Sequence, residues 1–118
     1  METVETLLHQ GANIEAQLNN GYTPLVIATF RGHKETVKFL LELGANIEAK
    51  CKNGHTPLTY AAMQGHRETV ELLLDHKANI ASQTDDSQTP LAIAAMQGHK
   101  ETVEFLLDQG ANIESQDI

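Results

Sequence analysis

Cysteine occurs once, at Cys51, and tryptophan not at all; two tyrosines and three phenylalanines are the only aromatic side chains among 118 residues. One cysteine excludes an intrachain disulfide. With so few aromatics, a core must be assembled from Leu, Ile, Val, Ala and Met. Basic residues are also scarce, eight against sixteen acids, for a net charge of −8. Nucleic-acid affinity comes from phosphate neutralisation by a basic stripe, and none is present. The same shortage disfavours an anionic membrane surface. No apolar run approaches the roughly 18–20 residues of a membrane span, and no Asn-X-Ser/Thr acceptor occurs. The opening METVETLLHQ lacks the basic start and apolar centre of a signal peptide. Together these point to an intracellular, reducing compartment, cytoplasmic or nuclear.

What is present is repetition. Thr-Pro-Leu begins at Thr23, Thr56 and Thr89, and Gly-His at Gly32, Gly65 and Gly98. Glu-Thr-Val begins at Glu2, Glu35, Glu68 and Glu101, and Ala-Asn-Ile at Ala12, Ala45, Ala78 and Ala111. The chain parses into a half-unit (1–17), full units 18–50, 51–83 and 84–116, and the first two residues of a further unit (117–118). The last two full units agree at 21 of 33 positions, which fits either recent duplication or a consensus-like design. Charge is unevenly spread: residues 84–116 carry six acids against Lys100 alone.

Local chemistry predicts the form of each unit. In 51–83, Asn53-Gly54 is a tight-turn signal, since both residues tolerate positive φ. Thr56 caps a helix whose first turn suits Pro57. The run Leu58 to Met63 reads as a short helix stopped by Gly65, with small Ala61 and Ala62 allowing close approach. A second helix is expected over about Arg67 to Asp75, with Val70, Leu73 and Leu74 as one apolar stripe and Glu68 favourably placed at its positive end. The unit is turn, helix, helix, loop.

Gly21-Tyr22-Thr23-Pro24-Leu25, Ala28, Gly32-His33, Val37, Leu40-Leu41 and Gly44-Ala45-Asn46-Ile47, with their counterparts in the next two units, closely resemble the ankyrin repeat over the whole chain. The resemblance implies an all-α solenoid of stacked antiparallel helix pairs, with short β-hairpin or turn tips and a concave groove. It implies a structural role for His33, His66 and His99, each bonding backbone of a neighbouring hairpin.

Departures from the family pattern are specific. The His that follows Thr-Pro-Leu in the family is Val26, Thr59 and Ala92 here, so its hydrogen bonds are lost or replaced. The glycine after the second helix is kept at Gly11, Gly44 and Gly110 but is Lys77 in one unit, at a cost of roughly 1 kcal/mol if the left-handed conformation is retained. Ser87 replaces a hairpin glycine, predicting a reshaped turn. The asparagine that asparaginyl oxygenases modify in the family is replaced by Glu15, Glu48, Ala81 and Glu114. Neither end carries a polar cap of the kind stable arrays use. Val4, Leu7 and Leu8 begin without a partner helix, and Ile93, Val103, Leu107 and Ile113 face no following unit. That favours a fragment of a longer array over a complete protein, and end-to-end self-association.

A catalytic or metal role finds little support. His33, His66 and His99 lie one unit apart, and His9, His55 and His76 fall at unrelated points. No His/Cys spacing matches a zinc site. No nucleophile elbow, phosphate loop or dinucleotide glycine motif occurs. Catalytic sites break symmetry, whereas Gly-His-Lys/Arg-Glu-Thr-Val recurs. No enzyme activity, cofactor or metal is expected.

A binding surface is expected instead. Carried over from the family, it comprises the tips (Tyr22, then Lys52 and His55, then Asp85 and Asp86) and the first-helix ends (Phe30 and Arg31, then Met63 and Gln64, then Met96 and Gln97). Phe30, Met63 and Met96 recur at intervals of 33 and should form one stripe, and methionine suits adaptable surfaces. The second helices, with Lys38, Glu71 and Glu104 at matched positions, read as a solvated convex face. The function implied is a protein-interaction module whose partner carries basic surface near the acidic last unit. The rival readings are a sensor of small, nucleotide-like molecules, with Tyr22, Phe30 and Arg31 as its thin basis, and a spacer or designed array without a partner.

Overall fold

Thr23, Thr56 and Thr89 each precede a proline and each begins a helix. In the computed structural model, which describes residues 21–111, their hydroxyls accept from the backbone N–H of Val26, Thr59 and Ala92 at 3.3, 3.3 and 3.2 Å. The helices so capped are α1 (Pro24–Phe30), α3 (Pro57–Gln64) and α5 (Pro90–Met96). Each gives way to a glycine in the left-handed region and then to a second helix: α2 (Lys34–Glu42), α4 (Arg67–Asp75) and α6 (Lys100–Asp108). Glu35, Glu68 and Glu101 occupy the first turns of α2, α4 and α6, where the helix dipole favours an anion.

The second helices end alike. Ala45, Ala78 and Ala111 donate back to the carbonyls of Leu40, Leu73 and Leu106 at 3.1, 3.0 and 3.0 Å, the pairing that a left-handed residue after the helix permits. That residue is Gly44 (φ 94°), Lys77 (φ 73°) and Gly110 (φ 98°). Lys77 therefore keeps the glycine geometry and bears its strain.

First helices pack on first helices, α1 against α3 and α3 against α5, and second helices on second, with each pair closed on itself. The layers meet in one core in which Leu40, Leu73 and Leu106 are fully buried, along with Val37, Val70, Ala61 and Ala94. The same side chain from each unit occupies the same layer, so burial propagates along the stack.

The two tips at 51–55 and 84–88 are turns closed by Cys51 N–H to His55 O at 2.8 Å and Thr84 N–H to Gln88 O at 3.0 Å, with Gly54 N–H to Cys51 O and Ser87 N–H to Thr84 O inside them, and no strand is formed among the described residues. Asn53 and Gly54 are both left-handed (φ 63° and 78°), whereas in the next tip only Ser87 is (φ 63°). This is the reshaped turn expected there. The tips are tied to each other by Asp85 N–H donating to Asn53 O at 2.9 Å, and the loops by Asn79 N–H donating to the Glu48 carboxylate at 2.7 Å. Glu48 thus joins consecutive units from the position where the family keeps asparagine.

Candidate partner-binding surface

Phe30 and Met96 are the last residues of α1 and α5, and Met63 is the last but one of α3. Phe30 is 43% exposed and Met96 66%, with Met63 half-buried between them in sequence. Arg31 and Gln97 follow directly and are exposed, and Gln64 is half-buried. An equivalent apolar position is therefore presented by each first helix, beside a polar neighbour.

The structure brings Tyr22, Phe30 and Arg31 together around Tyr60, a residue that sequence reasoning missed. The Tyr60 ring stands edge-on to Tyr22 (centroids 5.9 Å apart, 87° between planes) and to Phe30 (5.8 Å, 83°), the T-shaped geometry aromatic quadrupoles prefer. His55 stacks on it at 4.7 Å, and its hydroxyl donates to the Tyr22 oxygen at 3.4 Å. Burial and the contact with Tyr22 push the Tyr60 hydroxyl well above the ordinary tyrosine range, so it stays protonated. Tyr22, Phe30, Tyr60, Val26, Ile27 and Arg31 line a cleft of about 240 Å³ between α1 and α3. The available signal was substitution at a matched position, since Tyr60 stands where the other units have Ile27 and Ile93.

The tips contribute less uniformly. Lys52, Asp85 and Asp86 are exposed, and His55 is half-buried. Burial lowers the His55 pKa and the nearby Asp85 and Asp86 carboxylates partly restore it. Its Nδ1 lies 3.0 Å from Thr59 Oγ1. That hydroxyl also accepts from Thr56 N–H at 2.8 Å and donates to Thr56 O at 2.9 Å. Thr59 thus makes side-chain hydrogen bonds of its own at the position where the family keeps histidine, whereas Val26 and Ala92 at matched positions have no side-chain donor or acceptor.

Two expectations are corrected. His66 and His99 bond the end of the preceding unit's first helix rather than its tip turn. His66 Nε2 meets Phe30 O at 3.1 Å and His99 Nε2 meets Met63 O at 2.9 Å. A carbonyl only accepts, so Nε2 carries the proton. Each of these two stands at the start of a second helix, opposite the C-terminal end of the preceding unit's first helix, and satisfies a carbonyl there that has no intrahelical partner. Ile93 is likewise not part of an exposed end face: it is buried, because it lies along α5 rather than beyond it. Leu107 is exposed at 42% and Val103 half-buried; Val4, Leu7, Leu8 and Ile113 lie outside the described residues.

Among the described residues no three His, Cys, Asp or Glu side chains gather where a metal ion would fit, and no helix is long and apolar enough to cross a membrane. Cys51 is half-buried, and burial raises its thiol pKa, partly offset by a backbone contact with Thr23. It has little thiolate character at neutral pH.

Helix pairs repeated every 33 residues, joined through glycine-hosted histidines and tipped by tight turns, define a helical repeat solenoid. A family model for ankyrin repeats in three copies matches residues 1–84 and again 43–117. The chain belongs to the ankyrin-repeat family, whose members generally mediate protein–protein interaction and are typically not enzymes. No curated protein sequence matches it significantly.

Proposed function

We propose that this chain is a protein-interaction module of three full units (18–50, 51–83, 84–116) that grips its partner along the first-helix ends and the tips. The observation that carries this reading is the exposure, in register, of Phe30 and Met96. Large apolar side chains left in water at equivalent points of a rigid stack form a preformed contact line, which limits the ordering cost of binding. Lys38 and Glu104 on the second helices are exposed and charged, and fit a solvated face instead.

The excess of acid in 84–116 suits a partner with basic surface near Asp85 and Asp86. Such complementarity acts chiefly on association rate and specificity. The reading places the module in the cell interior and needs no cofactor. Affinity capture from lysate, with identification by mass spectrometry, tests it. A protein retained by wild type and lost by a folded variant carrying Phe30→Glu, Met63→Glu and Met96→Glu supports the groove. Equal capture by both moves binding to the tips or ends, and no specific capture by either favours a spacer.

A further inference from the structure

The cleft at Tyr60 is built differently from the rest of the groove, and its chemistry specifies an occupant. Tyr22, Phe30, Val26 and Ile27 are among its described lining residues, and Tyr60 closes its floor with a hydroxyl already engaged by Tyr22. Among the described residues the one formal charge on the lining is Arg31, exposed at the C-terminal end of α1. No carboxylate lines it among the described residues.

Three occupants compete on those facts. A nucleotide-like ligand needs several convergent polar groups and a pocket of about 300–1,000 Å³; about 240 Å³ with a single cationic group is too small and too apolar. An alkylated ammonium would gain from the aromatic faces but would meet Arg31 with no anion among the described lining residues to offset it. An apolar side chain with a carboxylate beside it fits both features. The side chain enters the aromatic floor, and the carboxylate takes the guanidinium in the paired geometry arginine favours. Anchors of this kind, desolvated in an aromatic pocket, dominate binding energy in most interfaces.

We propose that the cleft between α1 and α3 is the anchor pocket of the binding face, taking one apolar side chain from a protein segment that carries Asp or Glu within a residue or two of it. This rests on the groove reading above and adds the chemistry of what enters it. With acid required at Arg31 and basic surface favoured at Asp85 and Asp86, the partner segment has a charge polarity, and it lies in one direction along the stack.

The test is a random heptapeptide display library selected against the full chain, followed by titration of enriched peptides into wild type, Phe30→Ala, Arg31→Glu and a Met63→Glu/Met96→Glu variant. All four substituted side chains lie at or next to the ends of first helices and none is buried, so the fold is retained, which circular dichroism checks. The expected result is enriched peptides sharing a Leu-, Met- or Phe-sized residue next to Asp or Glu, about tenfold or more weaker on Phe30→Ala. Reselection on Arg31→Glu should exchange the acid for Lys or Arg. Peptides without an acid preference, or binding indifferent to Arg31→Glu and Phe30→Ala, overturn the inference. If those peptides are lost on Met63→Glu/Met96→Glu, the groove reading stands without the pocket. Enrichment of cationic residues for the cleft overturns the choice of occupant, and selection of no peptide at all counts against both readings.

Discussion

The ring of His99 occupies the space that a side chain on Gly65 would need. A Cβ placed on Gly65 would lie 2.5 Å from His99 Nδ1, while Nε2 of the same ring holds Met63 O. Gly32 stands in the same relation to His66, at 2.8 Å. Gly65 is therefore required twice, once for its left-handed backbone (φ 71°) and once for the absence of a Cβ. This contact joins one unit to the next and fixes the spacing of the first helices that present the binding face.

Gly98 is the control. Its backbone is equally left-handed (φ 78°), but nothing lies within 4 Å of a Cβ added there. Gly98→Ala should cost only the backbone term, about 1–2 kcal/mol. Gly65→Ala should cost that and overpacking against the imidazole, roughly 1–3 kcal/mol more. Urea unfolding of the two variants compares them directly, and equal losses would mean that the ring moves aside freely.

Lys77→Gly should raise stability by about 1 kcal/mol, since Lys77 holds the φ of 73° that Gly44 and Gly110 hold at matched positions without a Cβ penalty. A higher urea midpoint with an unchanged slope is the expected reading. No gain would indicate that the lysine stem repays the strain by contacts of its own.

Thr59→Val keeps the shape of a fully buried side chain but removes the hydroxyl that accepts from Thr56 N–H. An unsatisfied buried donor costs about 1–3 kcal/mol, so this variant should lose that much. Ala92→Ser, at the matched position of the last unit, should move stability far less, because Ala92 leaves no partner waiting. Thermal unfolding of both checks the contrast.

His55 gives the pH dependence its sign. Its folded pKa lies below the ordinary histidine value of 6.5, so the unfolded chain binds the proton more readily and stability rises with pH through that interval. The contribution is whole above 6.5 and declines as pH falls from 6.5 through the lower folded pKa. Asp85 and Asp86 moderate the loss but do not reverse it. Urea midpoints from pH 7.5 to 5 should fall more steeply for wild type than for His55→Gln, and parallel curves would exclude the effect.

Much of the fold is legible in the sequence because its signals are local. Thr-Pro at 56–57 and Gly65 bound α3, and the bounds expected for the second helix, Arg67 to Asp75, are those of α4. What depends on how units stack is not local. The target of His99 lies 36 residues away on Met63, and its identity follows from the offset between helix layers, which periodicity does not encode. Tyr60 was hidden for the same reason: Ile27 and Ile93 at matched positions make it read as one more core residue, and only the approach of Tyr22 and Phe30 from the preceding unit turns it into the floor of a cleft. The exposed ends of α1 and α5, by contrast, follow from helix length alone, and Phe30 and Met96 were accessible to sequence reasoning.

The most direct test of the account is a titration of a captured partner against two sets of three charge-altering substitutions. One set is Phe30→Glu, Met63→Glu and Met96→Glu on the first helices; the other is Lys38→Glu, Glu71→Lys and Glu104→Lys on the second. The account predicts that the first set weakens binding by about a hundredfold or more while the second leaves it within about threefold, as expected of exposed charges remote from a contact. Loss of binding in the second set with retention in the first would place the partner on the convex face and contradict the account.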